Sequence, residues 1–183
     1  MGLLKNLKGR IMYGIENDYG NEATPSLNLG IVTSAEFTPK NNLKRYKDLN
    51  RRSSSGILYG DFSIDGTVSS QVTDFSLFRC ILGSVSGNGA TGNAFIYPSA
   101  SGTFEAGIAT LPSVTFELGR TDESSNADGS RVIGCKCNTA TLNFSMGEIV
   151  TLSTTWIGQT SKKVTSLVSY NAVTDEPFNY ING

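Results

Sequence analysis

The 183-residue sequence contains no histidine. The usual general base near neutral pH and the commonest metal ligand are therefore both missing, and nucleophile–histidine catalysis is excluded. No run of about 20 apolar residues exists, so no membrane-spanning helix is expected. The opening MGLLKNLKGR has two short apolar pairs and neither the apolar core nor the cleavage site of a signal peptide, so the chain is expected to be made and kept in a cytoplasm. Charge is scarce, at 17% of residues against 38% hydrophobic, and the charged share is clearly low for a globular protein. Gly, Ser, Thr and Asn make up much of the remainder, which favours strands and turns over long helices. The three cysteines cannot form a closed disulfide framework. Cys135 and Cys137 share one face of a strand, with Lys136 opposite. Without histidine a zinc site would need ligands from other chains, and buried thiols are the preferred reading.

Carboxylate chemistry is poorly supported too. Asp61 and Asp65 lie roughly 13 Å apart along a strand, too far for a glycosidase pair. Asp122 and Glu123 sit in a polar loop and read as solvated; the spacing through Asp128 matches no calcium loop. The glycine-rich GSVSGNGATG, from Gly83 to Gly92, lacks the Lys-Ser/Thr and the helix start of a phosphate loop. No catalytic residue, cofactor or metal is expected.

What is present is a basic stretch, KNNLKRYKDLNRR. Lys40, Lys44, Arg45, Lys47, Arg51 and Arg52 stand there against one acid, Asp48. It lies between two segments that read as strands and ends in Ser53-Ser54-Ser55-Gly56, a long charged loop of the kind that is usually functional or disordered. Residues 1–52 carry nine basic and five acidic side chains, residues 53–183 six and eleven. This split describes a dipolar subunit that meets copies of itself head to tail, or simply one basic loop skewing an ordinary count. Tyr46 among the cations would suit stacking on single-stranded nucleic acid. The acidic remainder and a pI near 5.5 argue instead for protein–protein contact, the cations facing acidic rims of neighbouring subunits.

The pattern along the chain is mainly β, a single domain with an arm at 1–9, the long loop at 39–56 and a weakly patterned tail at 164–183. Strands are expected over Arg10–Glu16, Leu27–Thr38, Ile57–Val68 (with a bulge near Gly60), Asn93–Tyr97, Pro112–Leu118, Arg131–Cys137, Thr139–Met146 and Glu148–Ile157. Leu142, Phe144 and Met146 alternate, as do Val150, Leu152, Thr154 and Trp156; Gly147-Glu148 is the turn between them. One helix is expected from an Asp74 N-cap to a Gly83 stop, with Phe75, Phe78 and Leu82 on one stripe. Strands with short turns and one helix indicate a β-sandwich or barrel with a helix on its side.

In order along the chain, YGIENDYG, LGIVTSAEFTPKNN, GILYGDFSIDGTV, DFSLFRCILGSVSG, LPSVTFELG and GCKCNTATLNFSMGEIVTLSTTWIG resemble the tail tube proteins of long-tailed viruses of bacteria and archaea. The last two are the most specific, with a Gly-Cys pair, an alternating strand, Gly, and a second strand ending in aromatic-x-Gly. The resemblance implies a non-enzymatic structural virion protein, with a β-sandwich or barrel plus a helix. It implies hexameric rings whose sheets join into an inner barrel, stacked into a hollow tube that delivers viral DNA. The partners implied are other copies, the tape measure, terminator and baseplate proteins, and the DNA in the lumen, with no membrane. Contact between rings would fall to the six cations of the long loop and to the arm. Ring proteins of type VI secretion share this general architecture and form the related alternative; a β-rich nucleic-acid-binding module is the unrelated one. Members of the family often continue past the equivalent of EPFNYING, where this chain stops.

Overall fold

The computed structural model describes residues 8–46, 56–58, 60–82, 111–121, 127–170 and 173–179. The expected Asn93–Tyr97 strand and the glycine-rich loop lie outside them. The elements in chain order are β1 (Lys8–Ile15), β2 (Leu27–Asn28), β3 (Ile31–Asn41), β4 (Lys44–Tyr46), β5 (Gly56–Leu58), β6 (Phe62–Gln71), α1 (Phe78–Leu82), β7 (Val114–Thr121), β8 (Ala127–Asn143), β9 (Thr151–Gly158) and β10 (Thr160–Val164). Eight strands form one antiparallel sheet in the order β2-β1-β7-β8-β9-β6-β3, with β10 also on β8; β4 and β5 form a separate ribbon. The sheet is open, and the mainly β class expected from the sequence holds.

The sheet folds over on itself at β8. The first part of this 17-residue strand pairs with β7 and with β10 as far as Ile133, and the part from Lys136 to Asn143 pairs with β9. At the changeover Gly134 takes a φ of +70°, open to glycine and costly for other residues. Opposite it Gln159, between β9 and β10, donates its backbone N–H to Ile133 O. The consequence is a sandwich. Phe116 on β7 lies 5.2 Å from the Phe37 ring on β3 and 4.9 Å from Trp156 on β9, although three strands separate β7 from β3 in hydrogen-bonded order. The core sits between these layers, built from Val114, Phe116, Val132 and Cys135 on one side and Ile64, Val68, Leu152 and Trp156 on the other.

Alternation explains β9 well. Leu152, Thr154 and Trp156 point inward with Val150 just ahead, and all four are buried. Thr154 is tolerated because its hydroxyl donates to Val68 O and accepts from the Trp156 indole at 2.8 Å. Cys135 is buried in the core and Cys137 packs against it, as their spacing requires.

Other expectations need correction. Arg131–Cys137 and Thr139–Met146 are one strand, with a register shift between Cys137 and Thr139. The strand ends at Asn143, so Phe144 and Met146 leave the alternation and stand exposed. Leu27–Thr38 is broken at Gly30, which has a φ of +81°. The helix is shorter than expected. Asp74 does accept the Ser76 N–H at 2.8 Å, but Phe78 and Cys80 bond to carbonyls three residues back, a tight turn, and α1 begins only at Phe78.

Replacing Gly134 with Ala should destabilise the fold by at least about 1–2 kcal/mol, from left-handed backbone strain alone. An added Cβ would also meet the Gln159 Cβ at 2.8 Å. Urea denaturation of the isolated protein checks this; an unchanged midpoint would mean that the bend does not depend on this conformation.

Candidate assembly surfaces

Of the six expected contact cations, three lie on described strands. Lys40, on β3, forms an ion pair with Asp65 on β6, so its charge is answered within the chain. Lys44 and Arg45 lie on β4, where the expected loop is in part an antiparallel ribbon pairing Lys44, Arg45 and Tyr46 with Leu58, Ile57 and Gly56; Lys44 is exposed. Lys47, Arg51 and Arg52 lie outside the described residues. The ribbon leaves the β3–β6 pair where Asn42 N–H reaches Asp61 O. A Cβ at Gly60 would sit 1.8 Å from the Asn42 carbonyl oxygen, so only glycine permits that approach.

The layer β8-β9-β6-β3 has an outer face that sequence reading did not single out. Cross-strand pairing aligns Thr139, Thr155, Thr67 and Glu36 in one row and Thr141, Ser153, Ser69 and Ser34 in the next. Hydroxyls bond across the strands, Thr139 to Thr155 at 2.6 Å and Ser69 to Ser153 at 3.4 Å. Among the described residues, charge on this face comes from Glu36, from the Lys40–Asp65 pair with its opposite signs, and from Lys136 of β8, which pairs with Ile157 in the row of Asp65 and holds its ammonium over the Tyr19 ring. The signal was in the sequence: the residues between Leu152, Thr154 and Trp156 are Ser and Thr, as are many between the apolar positions of β6.

Both margins of this layer are unpaired among the described residues. β3 has β6 on one side only, and β8 beyond Lys136 has β9 on one side only. An eleven-residue edge strand such as β3 presents a row of free backbone groups and invites another strand.

The buried carboxylates are structural. Glu16 accepts the Gly20 and Gly134 N–H groups at 2.9 and 2.8 Å and the Thr115 hydroxyl at 2.7 Å. Glu117 is 1% exposed and takes two hydrogen bonds from Arg131 at 2.8 Å and one from Val168 N at 3.0 Å. Arg131 continues to Glu22, which Lys162 also holds. Burial alone would raise the Glu22 carboxyl, but the hydrogen bonds from Lys162 and Arg131 outweigh it and keep it below its ordinary value. The described residues include no group of His, Cys, Asp or Glu able to hold a metal. No described helix is long and apolar enough to cross a membrane.

The profile of the family described as "Phage tail tube protein" matches residues 6–183, and the chain belongs to that family. It is a structural tube subunit and a virion component. Its fold is shared with solved tube assemblies. The cap that terminates the anti-feeding prophage tube is 14% identical, with a TM-score of 0.50 over 86% of this chain and 89% of that one. The sheath–tube complex of the PVC extracellular contractile injection system, in its extended state, is 12% identical with the same score over 86% and 89%. The SPP1 tail tube is 9% identical, at 0.50 over 87% of this chain and 78% of that one. No curated protein sequence matches the chain.

Burial pushes the Cys80 thiol up to about 12 and Cys137 to about 11, and raises Cys135 as well. None is a thiolate near neutral pH, so none is an activated nucleophile. Ellman's reagent at pH 8 should leave Cys80 and Cys135 unmodified in the folded protein and titrate all three thiols after denaturation. Rapid modification of either buried thiol in the native state would contradict this packing.

Proposed function

We propose that six copies close into a ring whose bore is lined by the outer face of β8-β9-β6-β3, and that rings stack into the hollow tube through which viral DNA is delivered. The observation that carries this reading is the combination of two unpaired margins with a hydroxyl-covered face. The four strands alternate in direction, so β3 of one copy and the later part of β8 of the next would pair antiparallel, continuing the ladder without a break in pattern. The contact joins different surfaces and closes by rotation, as a ring requires.

The face suits a conduit. DNA is gripped mainly through phosphate contacts to cations, and the cations that these four strands place on this face are both engaged, Lys40 by Asp65 and Lys136 by the Tyr19 ring beneath its ammonium. Close-set Thr and Ser offer hydration without strong points of attachment. A nucleic-acid-binding module would need the reverse distribution. The subunit is non-enzymatic, needs no cofactor, and works with the tape measure, terminator and baseplate proteins at the ends of the tube.

Negative-stain electron microscopy of the purified protein across concentration and salt tests the reading. Hollow rings or tubes with sixfold end views are expected. A monomer under every condition, or tight salt-sensitive DNA binding by that monomer, would count against it.

A further inference from the structure

The two ends of the β8-β9-β6-β3 layer differ in a way that identifies what each touches. At one end is the β4–β5 arm, where Leu43, Tyr46 and Phe62 are exposed at 47%, 49% and 45%. The opposite end lies seven residues along β6, from Ile64 beside Gly158 to Gln71 beside Thr151, about 23 Å away by strand rise. There the β8–β9 turn exposes Phe144 (61%), Met146 (89%) and Ile149. The chain near its C-terminus is fastened to the same end. Phe178 donates its N–H to Val72 O and accepts from Val150 N, Asn179 bridges Ile149, and the Phe178 ring stacks on Phe75 at 5.1 Å. Phe75 and Phe178 remain 40% and 42% exposed.

Acids surround this second patch. Asp74 precedes Phe75, Glu148 precedes Ile149, and Asp175 and Glu176 precede Phe178. All four are exposed and none forms an ion pair among the described residues; Arg79, the one cation of α1, is exposed as well. The arm has the opposite sign, with Lys44 and Arg45 on β4 and Lys47, Arg51 and Arg52 following in sequence against Asp48.

We propose that the arm of one copy docks on this acid-rimmed apolar patch of a copy in the next ring. Leu43 and Tyr46 would cover Phe144, Met146 and Ile149, and the arm cations would face Glu148, Asp175 and Glu176. The inference rests on the stacked-ring reading above and names the receiving surface for it. A second copy is the occupant because apolar area and charge sign both match between ends of the same layer, which face away from each other and cannot meet within one chain. Such a head-to-tail contact repeats without closing. Its strength comes from apolar burial, and its charges set register and exclude the reversed orientation. Lys40 takes no part, since Asp65 already answers it.

A charge exchange tests the pairing. The acceptor variant Glu148→Lys/Asp175→Lys/Glu176→Lys and the arm variant Lys44→Glu/Arg45→Glu are each expected to form single rings but no tubes, with the critical concentration for tubes raised at least about tenfold, the scale of one lost modest contact. The two sets combined in one chain should restore tubes. Met146→Ser, at a side chain too exposed to hold the fold, should weaken stacking with rings intact. Wild-type tube length from the acceptor variant, or no recovery in the combined variant, overturns the proposed pairing and leaves the ring reading standing. Wild-type protein that forms no rings in any condition removes the ring reading and this contact with it.

Discussion

The structure depends on one bend. Where β8 passes from Ile133 to Lys136 its partner changes from β10 to β9, and a single hydrogen-bonded sheet becomes two facing layers. Gly134 supplies the left-handed residue, and Glu16 fixes it by accepting its N–H along with that of Gly20. Gln159 marks the same break on the opposing strand. Without this turn Phe116 would not meet Phe37 and Trp156, and the core would have only one wall.

The bend also decides which surfaces remain free. The layer β2-β1-β7 with β10 is covered on its outer side. Residues 16–26 lie over it, with Ala23 N–H donated to Thr115, and the tail adds Leu167. The paired Gly119 and Gly129 leave room for that side chain, which an added Cβ at either would meet at 2.6 or 2.5 Å. Ion pairs from Glu117 through Arg131 to Lys162 clamp the same side. Among the described residues the other layer has only Tyr19, beside Lys136, at its face and no strand partner at either margin. An asymmetric sandwich of this kind satisfies its own polar groups on one side and, among the described residues, leaves the edges of the other side unpaired. Its surface chemistry follows: buried charge where the chain closes on itself, neutral hydroxyls on the open face, and opposite charges at the two ends.

Much of this was legible in sequence where periodicity is strict. Val150, Leu152, Thr154 and Trp156 fix the inward face of β9, and the spacing of Cys135 and Cys137 places both thiols on the core side. What was not legible depends on partners distant in the chain. Nothing in the local sequence marks Glu16 and Glu117 for burial, and Gly134 and Arg131, arriving from β8, are what make it tolerable. Phe144 and Met146 extend the alternation of Leu142 in sequence, yet the turn at Ser145–Glu148 takes them off the sheet. The basic stretch looked like one electrostatic unit; register places Lys40 beside Asp65 and puts the next cations on a separate ribbon. The hydroxyl face was written in the residues between the inward positions, a pattern that becomes a surface only once four strands are aligned.

The central claim is that β3 and the later part of β8 are vacant margins that pair with each other between copies. Amide hydrogen exchange resolved by peptide, compared between dispersed subunits and assembled particles, addresses it most directly. The account predicts that residues 31–41 and 137–143 gain strong protection on assembly, while β7 and the first part of β8, already paired on both sides, change little. Assembled particles in which both margins exchange as fast as in the free subunit would contradict it.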